Sequence, residues 1–347
     1  MTAEKMKAAV NVAPGRVEIW EVPIPQPGPG EVLIRQKACS LCTMEQRVFR
    51  GSGSYSPYPS CWGHEVSGVV AAVGPGVVSV KTGQHVALGS GIFCGQCYHC
   101  ARGDDNYCQN ARPYLEHAGI TGLLGMAEYA VTPAYRAVPV EGDIPFAHSC
   151  FAEPVSCVIH SMQKLDIRLG DTVVVIGAGT MGLLNMRIAQ LLGARVIVSE
   201  PEPGRREKAL HLGAQEVIDP QAGAPEKAVK ELTNGRGAEV VIVTIGLGDA
   251  NEQGRKLLGK GGRFMLFASA HPATPLVLDP NDVHKKEHEF IGTEGKAFAD
   301  FWRAVSILSW RLLDVEPLIQ ARFPLQCAQD AFECAVTPGS YRVVLEM

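Results

Sequence analysis

The sequence predicts an α/β protein that combines a β-rich part with a doubly wound parallel sheet. Three observations lead to this fold class: a length of 347 residues, a β-rich pattern over residues 6–140, and strands that alternate with helices from about residue 150. At roughly 150 residues per domain, the length predicts two or three domains. Alternating strands and helices are typical of βαβ units, whose parallel strands are covered on both faces.

In the first half, short apolar runs at residues 32–34 and 69–73 predict strands, and Pro- and Gly-rich turns at 23–30 and 74–76 separate them. In the second half, strands are predicted at 173–176, 196–198, 217–218, 240–243 and 263–267, and helices at 181–192, 204–212, 225–233 and 252–258. A helix over 298–308 and a strand over 342–345 end the chain.

Composition and charge exclude several classes of protein. Hydrophobic residues make up 46% and charged residues 20% of the chain, which excludes a wholly disordered protein. The net charge of −4 lacks the basic excess of a nucleic-acid binder, so we expect no nucleic-acid partner. No apolar run reaches the roughly 18 residues that span a bilayer, and the N-terminus has no long apolar signal segment. We therefore expect a cytoplasmic protein without a membrane partner.

A glycine-rich loop predicts a dinucleotide site. The loop ends an apolar strand and opens a helix, and it reads Gly177-Ala178-Gly179-Thr180-Met181-Gly182, a G-x-G-x-x-G motif. Glycines allow a tight turn and a close approach of the backbone to a pyrophosphate, which lies at the positive end of the helix dipole.

The nucleotide specificity depends on the residue that follows the next strand. Glu200 lies 18 residues after Gly182, where a carboxylate accepts hydrogen bonds from the adenosine ribose. Because Glu200 would repel a 2′-phosphate, NAD is favoured over NADP. Arg205 and Arg206 follow closely and could accommodate that phosphate, so NADP remains the less favoured alternative.

Four closely spaced cysteines predict a structural zinc site in a lobe over residues 91–110. They are Cys94, Cys97, Cys100 and Cys108. Four thiolates at this spacing can close a tetrahedral shell around one zinc and leave no open position. His99 lies inside the cluster but is not needed as a ligand. A reducing compartment disfavours the alternative of disulfides.

Three separated segments suggest a second, catalytic metal site. They contain Cys42, the pair His64 and Glu65, and Glu153. Three protein ligands with one open position are what a catalytic zinc requires. Each segment also has an ordinary interpretation, because a single cysteine is most often buried in a core and Gly-His-Glu could form a turn.

Taken in chain order, these motifs resemble the zinc-containing medium-chain dehydrogenases/reductases, in particular the polyol (sorbitol) and threonine dehydrogenase branch. The resemblance extends from about residue 6 to 345. It rests on the Cys42 segment, Gly63-His64-Glu65 followed by Gly68 and Val69, the four cysteines, Glu153-Pro154, the strand with its glycine-rich loop, and Phe323-Pro324-Leu325.

The resemblance implies a β-rich GroES-like catalytic domain and a doubly wound Rossmann domain that binds NAD. The catalytic domain would span residues 1–152 and be completed by 292–347, and the Rossmann domain would span 153–291. The implied activity is zinc-dependent hydride transfer between NAD and a secondary alcohol, either a polyol, a sugar alcohol, a cyclitol or an amino alcohol. Because family members form dimers or tetramers, we expect a homodimer or homotetramer.

The resemblance also implies that Cys42, His64 and Glu153 hold the catalytic zinc. Glu65 is implied as a nearby carboxylate that can enter the zinc shell. Cys150 or Cys157 remains an alternative to Glu153, since zinc accepts sulfur or oxygen donors.

The segment after Cys42 departs from the family pattern. Met44 stands where relatives have a hydroxyl residue, and Arg47 stands where they have a histidine. The hydroxyl–histidine proton relay of relatives is therefore not expected. Zinc-bound water, Glu153, Glu65 and Thr43 remain as alternative routes for the proton.

Two other functions fit parts of the sequence. The missing relay hydroxyl is compatible with a zinc- and nucleotide-binding sensor or partner subunit of little activity, although the retained ligands argue against it. A quinone or enoyl reductase without catalytic zinc is disfavoured, because that branch generally lacks both the Gly-His-Glu ligands and the four cysteines. Zinc content separates the three: two ions per chain for the dehydrogenase, one for the sensor and none for the reductase.

Overall fold

The computed structural model describes residues 4–52, 58–112, 114–270 and 272–347. The chain divides into two compact units, the first comprising Met1–Ser156 with Lys296–Met347 and the second comprising Cys157–Gly295. Among the described residues, no helix combines the length and apolar character needed to cross a membrane.

The described part of the chain contains seventeen strands. They are β1 (Lys5–Ala13), β2 (Arg16–Pro23), β3 (Glu31–Ser40), β4 (Glu65–Val73), β5 (His85–Leu88), β6 (Leu115–His117), β7 (Ile120–Gly122), β8 (Tyr129–Pro133), β9 (Ala137–Pro139), β10 (Thr172–Ile176), β11 (Arg195–Ser199), β12 (Glu216–Ile218), β13 (Ala238–Val243), β14 (Leu258–Leu266), β15 (Glu289–Gly292), β16 (Ile319–Pro324) and β17 (Arg342–Glu346).

The described part of the chain also contains eleven α-helices. They are α1 (Thr43–Phe49), α2 (Tyr98–Ala101), α3 (Phe146–Ser149), α4 (Ala152–Leu165), α5 (Thr180–Leu191), α6 (Pro203–His211), α7 (Pro225–Leu232), α8 (Gly248–Leu257), α9 (Pro280–Lys286), α10 (Phe298–Ser309) and α11 (Ala328–Ala335).

The first unit is built around a sheet whose described strands run in the order β16-β17-β3-β4-β5-β9, with β8 paired to β3. The pairs on either side of β3 and β4 are antiparallel. The apolar residues Val32, Ile34, Val66 and Val70 of these strands are buried in one core, as the alternating pattern of an antiparallel sheet requires. This arrangement confirms the predicted β-rich part.

The second unit is a parallel sheet with the order β12-β11-β10-β13-β14-β15 among the described strands. Counted from β10, this is the order 3-2-1-4-5-6 of a doubly wound dinucleotide fold. Every residue of β10 is buried, as expected for a central strand covered on both faces. The predicted Rossmann fold is confirmed, and its point of strand-order reversal lies between β10 and β13.

One long helix was absent from the elements predicted from the sequence. Helix α4 begins at Ala152, and Pro154 lies in its first turn. Proline is tolerated there because the first N–H groups of a helix have no partner within the helix. The Glu153-Pro154 pair therefore opens a helix, which fixes the backbone of Glu153.

Candidate functional site

Cys42 and Glu45 lie at the start of α1. Cys42 is the N-cap residue, with extended backbone angles, two residues beyond the end of β3. Glu45 is fully buried, and its Oε2 accepts a hydrogen bond from the backbone N–H of Cys42 at 3.0 Å. A carboxylate at this position also interacts favourably with the positive end of the helix. Glu45 therefore fixes the backbone that presents the Cys42 thiol.

Gly63 brings the His64 segment close to the same place. Its φ of +97° lies in the region that favours glycine, and a Cβ there would come within 2.8 Å of Cys39 Sγ. Glu45 Oε1 accepts a hydrogen bond from the Gly63 N–H at 3.1 Å and lies 2.7 Å from His64 Nδ1. With the proton on Nδ1, His64 is oriented so that Nε2 is available to a metal.

Cys42, His64 and Glu65 converge, and we call them the mixed-donor group. One ligand atom from each residue lies within 4.8 Å of the others. A thiolate, an imidazole and a carboxylate form the donor chemistry that zinc accepts, and three ligands leave one position open. The residues present therefore fit a catalytic zinc.

Glu65, the first residue of β4, is held by Arg342, which lies outside the three predicted segments, and by Ser40. Arg342 donates from Nη2 to Oε1 at 2.7 Å and from Nε to Oε2 at 3.1 Å, and the Ser40 hydroxyl also donates to Oε2. Burial raises the pKa of Glu65 to about 7, although the Arg342 guanidinium opposes this rise. Arg342 also lies 3.4 Å from Cys42 Sγ, so one buried cation contacts two members of the group.

Glu153 lies beside the mixed-donor group rather than within it. Its Oε1 is 2.5 Å from Lys296 Nζ and accepts a hydrogen bond from Ser90 Oγ at 3.0 Å, while Oε2 faces His64 Nε2 at 3.9 Å. Ligands of one tetrahedral zinc would place these nitrogen and oxygen atoms about 3.4 Å apart. Burial alone would raise the pKa of Glu153, but Lys296 and His64 outweigh it and lower the pKa to about 2.

The charges of this region favour an additional cation. Glu45, Glu65 and Glu153 are all buried, and the two paired cations are Arg342 on Glu65 and Lys296 on Glu153. Burial opposes protonation of His64, yet the Glu45 and Glu153 carboxylates raise its pKa well above the ordinary value. The surroundings of the imidazole therefore favour positive charge, whether from a proton or a metal ion.

The other cysteines near these segments, including the alternatives Cys150 and Cys157, do not join the group. Cys39, Cys61 and Cys150 are buried in the apolar core, and burial raises the pKa of each thiol. The Cys150 thiol donates to the carbonyl of Ala147 at 3.3 Å, as a neutral thiol does. Cys157 is also outside both metal-ligand groups found among the described residues.

Met44 and Thr43, the residues of α1 that were considered for proton transfer, lie in different surroundings. Met44 is partly buried and packs against the apolar core of the first unit, whereas Thr43 is exposed. Hydroxyls that contact the site carboxylates come from Ser40 and Ser90 instead. Neither serine was given a role from the sequence: Ser40 lies in the Cys42 segment and Ser90 lies outside the motif segments.

The four predicted cysteines of the lobe also converge. Cys97 Sγ lies 3.5 Å from Cys100 Sγ and 4.0 Å from Cys108 Sγ. A tetrahedron with zinc–sulfur bonds of about 2.3 Å has edges of about 3.8 Å, whereas a disulfide bond is about 2.0 Å long. The spacing fits four ligands of one zinc, and His99 is not part of this group.

Hydrogen bonds to Cys94 favour its thiolate form. The N–H groups of Gln96 and Cys97 and the side-chain amide of Asn110 contact Cys94, and the Gln96 contact has the largest effect. Together they lower the pKa of the Cys94 thiol to about 6. Donors of this kind stabilise a metal-bound thiolate.

The glycine-rich loop has the geometry of a phosphate cradle. Gly177 has a φ of +99°, and a Cβ at Gly182 would lie 1.9 Å from the carbonyl oxygen of Gly177. Gly179 is the N-cap of α5, and a Cβ there would meet no atom within 4 Å. The backbone can therefore be approached closely at the helix N-terminus. Thr180 and Met181 form the first turn of α5, next to this approach.

Glu200 is joined to the same loop. It is 4% exposed, and its Oε2 accepts from the Ala178 N–H at 2.7 Å while Oε1 accepts from the Glu202 N–H at 3.0 Å. Arg206 lies 3.1 Å from Asp219 and donates to two backbone carbonyls, so it is already engaged. A buried carboxylate with an engaged arginine nearby favours a free ribose hydroxyl over a 2′-phosphate. Arg205 is partly buried on the same helix.

The profiles of two known families match this chain. The profile of the alcohol dehydrogenase GroES-like domain matches residues 28–142, and that of the zinc-binding dehydrogenases matches residues 180–310.

Individual relatives cover nearly the full length. The L-threonine 3-dehydrogenase of Pyrococcus horikoshii is 34% identical over 339 residues, which are 95% of each chain. A zinc-binding dehydrogenase from Sinorhizobium meliloti, solved with NADP, has a TM-score of 0.90 at 28% identity and covers 99% of this chain and 100% of its own. An alcohol dehydrogenase from Escherichia coli, solved with NADH, has a TM-score of 0.88 at 26% identity, with coverage of 99% and 100%.

Proposed function

The chain belongs to the zinc-dependent alcohol dehydrogenases of the medium-chain dehydrogenase/reductase superfamily, and we propose that it oxidises a small secondary alcohol with NAD. Membership makes it a zinc-dependent oxidoreductase acting on a CH–OH group. The proposed substrate class comprises polyols, sugar alcohols, cyclitols and amino alcohols. Amino alcohols come first, because the L-threonine 3-dehydrogenase of Pyrococcus horikoshii is 34% identical over 95% of each chain.

The observation that carries the proposal is the convergence of Cys42 and His64 with two buried carboxylates. We assign Cys42, His64 and Glu153 as the catalytic zinc ligands. Both oxygens of Glu65 are already bound by Arg342, whereas Glu153 Oε2 faces the histidine nitrogen that a metal would use. Zinc bound there would act as a Lewis acid that lowers the pKa of a substrate hydroxyl.

The surrounding residues fix the geometry of this reaction. Glu45 orients the His64 imidazole, and Arg342 holds Glu65 next to the Cys42 sulfur. The reaction moves a hydride from the carbinol carbon to the nicotinamide, so the contribution of the protein is alignment of the two reactants and exclusion of water. The alcohol proton leaves through bound water, a site carboxylate or Thr43 rather than through a side chain at position 44.

The remaining assignments concern the second zinc, the nucleotide and the assembly. Cys94, Cys97, Cys100 and Cys108 hold a structural zinc, which the sulfur spacing supports. The loop from Gly177 to Gly182 binds the pyrophosphate and Glu200 binds the ribose. We further propose a homodimer or homotetramer in the cytoplasm, where the absence of disulfides among the eleven cysteines, all within the described ranges, fits a reducing environment.

Metal analysis combined with a substrate panel tests this function. The purified protein is assayed for zinc per chain, and L-threonine, polyols and cyclitols are offered with NAD while NADH absorbance is followed. Two zinc ions and NADH formation support the proposal. One zinc ion without turnover would indicate the sensor, and a zinc-free protein that reduces quinones or enoyl compounds would indicate the reductase. Light scattering of the same sample tests the oligomeric state.

A further inference from the structure

Helix α10 has no N-cap side chain that accepts from its first turn, although Asp300 within the helix accepts the N–H of Ala297 at 3.2 Å. Its N-cap residue is Ala297, which has no side-chain acceptor, and the first helical N–H is that of Phe298. Asp105 accepts this N–H with both carboxylate oxygens, at 3.0 and 3.1 Å. The first N–H groups of a helix need external acceptors, and a carboxylate also interacts favourably with the helix dipole. A distant acid therefore caps α10.

Asp105 belongs to the four-cysteine lobe. It opens a 3₁₀ turn, Asp105–Tyr107, between the metal-ligand candidates Cys100 and Cys108. Cys108 directly follows the turn, and its N–H donates to the carbonyl of Asp105 at 3.0 Å. A metal held by the four sulfurs would therefore fix the position of the Asp105 carboxylate.

A second contact joins the lobe to the same turn of α10. The Phe298 ring packs against Phe93 and Tyr135, with ring centroids 5.6 and 5.9 Å apart. Phe93 directly precedes Cys94, and the Tyr135 hydroxyl lies 3.0 Å from the Phe93 backbone nitrogen. The lobe thus holds the start of α10 through a polar and an aromatic contact.

Lys296 lies just before the first turn of α10 and contacts the candidate zinc ligand Glu153. Lys296 comes two residues before Phe298, and its side chain is 7% exposed. Its Nζ lies 2.5 Å from Glu153 Oε1 and also contacts the Ser90 hydroxyl. A displacement of the first turn of α10 would move this ammonium group away from Glu153.

We propose that Asp105 is a positioning residue that couples the four-cysteine lobe to the catalytic site through Lys296 and Glu153. By holding the start of α10, Asp105 keeps the Lys296 ammonium on Oε1 of Glu153, which leaves Oε2 directed at His64. The lobe then does more than stabilise its own segment, because it sets the orientation of a catalytic carboxylate. This inference rests on the proposed function.

The test uses the full-length holoenzyme with Asp105→Ala, Lys296→Met and the double variant. Asp104→Ala is the matched control, because this neighbouring carboxylate contacts Arg102 instead of α10. We expect Asp105→Ala to retain two metal ions and to lower kcat about tenfold, as misplacement of a catalytic group does. The double variant should be no slower than Lys296→Met alone, since both changes break one chain of contacts.

A spectroscopic readout separates coupling from a general loss of stability. With cobalt exchanged into the catalytic site, Asp105→Ala and Lys296→Met should shift the visible absorption band in the same direction, and Asp104→Ala should not. Asp105→Asn, which keeps one acceptor oxygen, should restore most of the wild-type spectrum. If Asp105→Ala does not fold, the Asp105→Asn and Lys296→Met spectra must still shift in the same direction, the former less.

Three outcomes would overturn the coupling. The first is a pair of losses in kcat that multiply in the double variant. The second is an unchanged cobalt spectrum in both Asp105 variants. The third is a metal content that falls to one ion per chain in Asp105→Ala, which would show that Asp105 only maintains the lobe. The spectrum is read without turnover. Failure to oxidise any alcohol would therefore count against the proposed function and leave this test in place.

Discussion

The four-cysteine lobe and the mixed-donor group are built in opposite ways. The lobe takes all its candidate ligands from one short segment, and each of its cysteines is partly exposed. The mixed-donor group combines residues from two segments, Cys42 and His64-Glu65, and is contacted from far along the chain, since Arg342 lies 300 residues after Cys42. Four sulfurs leave no open position for a substrate, whereas a sulfur, a nitrogen and a carboxylate leave one. The first arrangement is suited to stability and the second to chemistry.

The two sites also differ in how their ligand charges are balanced. In the lobe, backbone and amide N–H groups contact the Cys94 sulfur. At and beside the mixed-donor group, the cations Arg342 and Lys296 are buried against Glu65 and Glu153. Breaking one partner of a buried ion pair typically costs about 3–5 kcal/mol, because a charge is left uncompensated. Substitutions that break one of these pairs should therefore destabilise the second site.

The largest expected effect is that of His64→Ala. The variant should lose one of two zinc ions per chain, and kcat should fall about 10³-fold or more, because the Lewis acid would be absent. Zinc analysis and steady-state kinetics measure both quantities. Full activity with both zinc ions retained would remove His64 from the metal site and direct attention to Cys39, Cys61 or Cys150.

Glu45→Gln should have the next largest effect, because Glu45 contacts the ligand rather than the metal. Loss of the outer partner of a metal-bound histidine typically costs about 10- to 100-fold in metal affinity or activity. We expect a loss in this range, measured as zinc affinity by competition with a chelator. An affinity equal to that of the wild type would show that the contact of 2.7 Å between Glu45 and His64 does not orient the imidazole.

The fold was largely predictable from the sequence because its signals are local. The apolar runs and the glycine-rich loop gave strands and helices that agree with β10, α5, β13 and α10 to within a few residues. Helix α4 was missed because its first turn contains a proline, which in other positions ends a helix.

The candidate site was only partly predictable. Cys42, His64 and Glu65 stand in recognisable segments, and the structure brings them together. Arg342 and Lys296 stand in no motif, and Arg342 meets Glu65 across 277 residues of sequence. The pair of Arg342 and Glu65 depends on the register of β17 against β3, which no single segment specifies. Whether Glu153 is the third ligand stays a prediction.

Cys97→Ser tests the structural role of the four-cysteine lobe. Opening a closed thiolate shell should weaken folding more than chemistry, since metal binding at such a site is coupled to local folding. We expect the thermal midpoint to fall by about 5 °C, with the catalytic zinc retained and a smaller loss of turnover. Calorimetry and zinc analysis are the measurements. Lost turnover with unchanged stability and zinc content would contradict the structural assignment.

Glu200→Ala tests the proposed role of Glu200 at the nucleotide site. Removing the carboxylate should weaken NAD binding about tenfold and relax the discrimination against NADP, because the ribose loses its acceptor and the 2′-phosphate loses its repulsion. Fluorescence titration with both nucleotides measures the two dissociation constants. Tighter binding of NADP than NAD by the wild type would show that Arg205 and Arg206 dominate instead.

The smallest expected effect is that of Met44→Ser, because the hydroxyl would lack the histidine that completes the relay in relatives. Arg47 stands in that place, and Met44 now packs against the apolar core. General acid–base help is typically worth about 10²–10⁴-fold, so a completed relay would be visible in kcat. We expect a change of less than about threefold, since the proton already leaves by another route. A large rise in kcat from this single substitution would mean that the hydroxyl position, and not the carboxylates around the mixed-donor group, limits proton transfer.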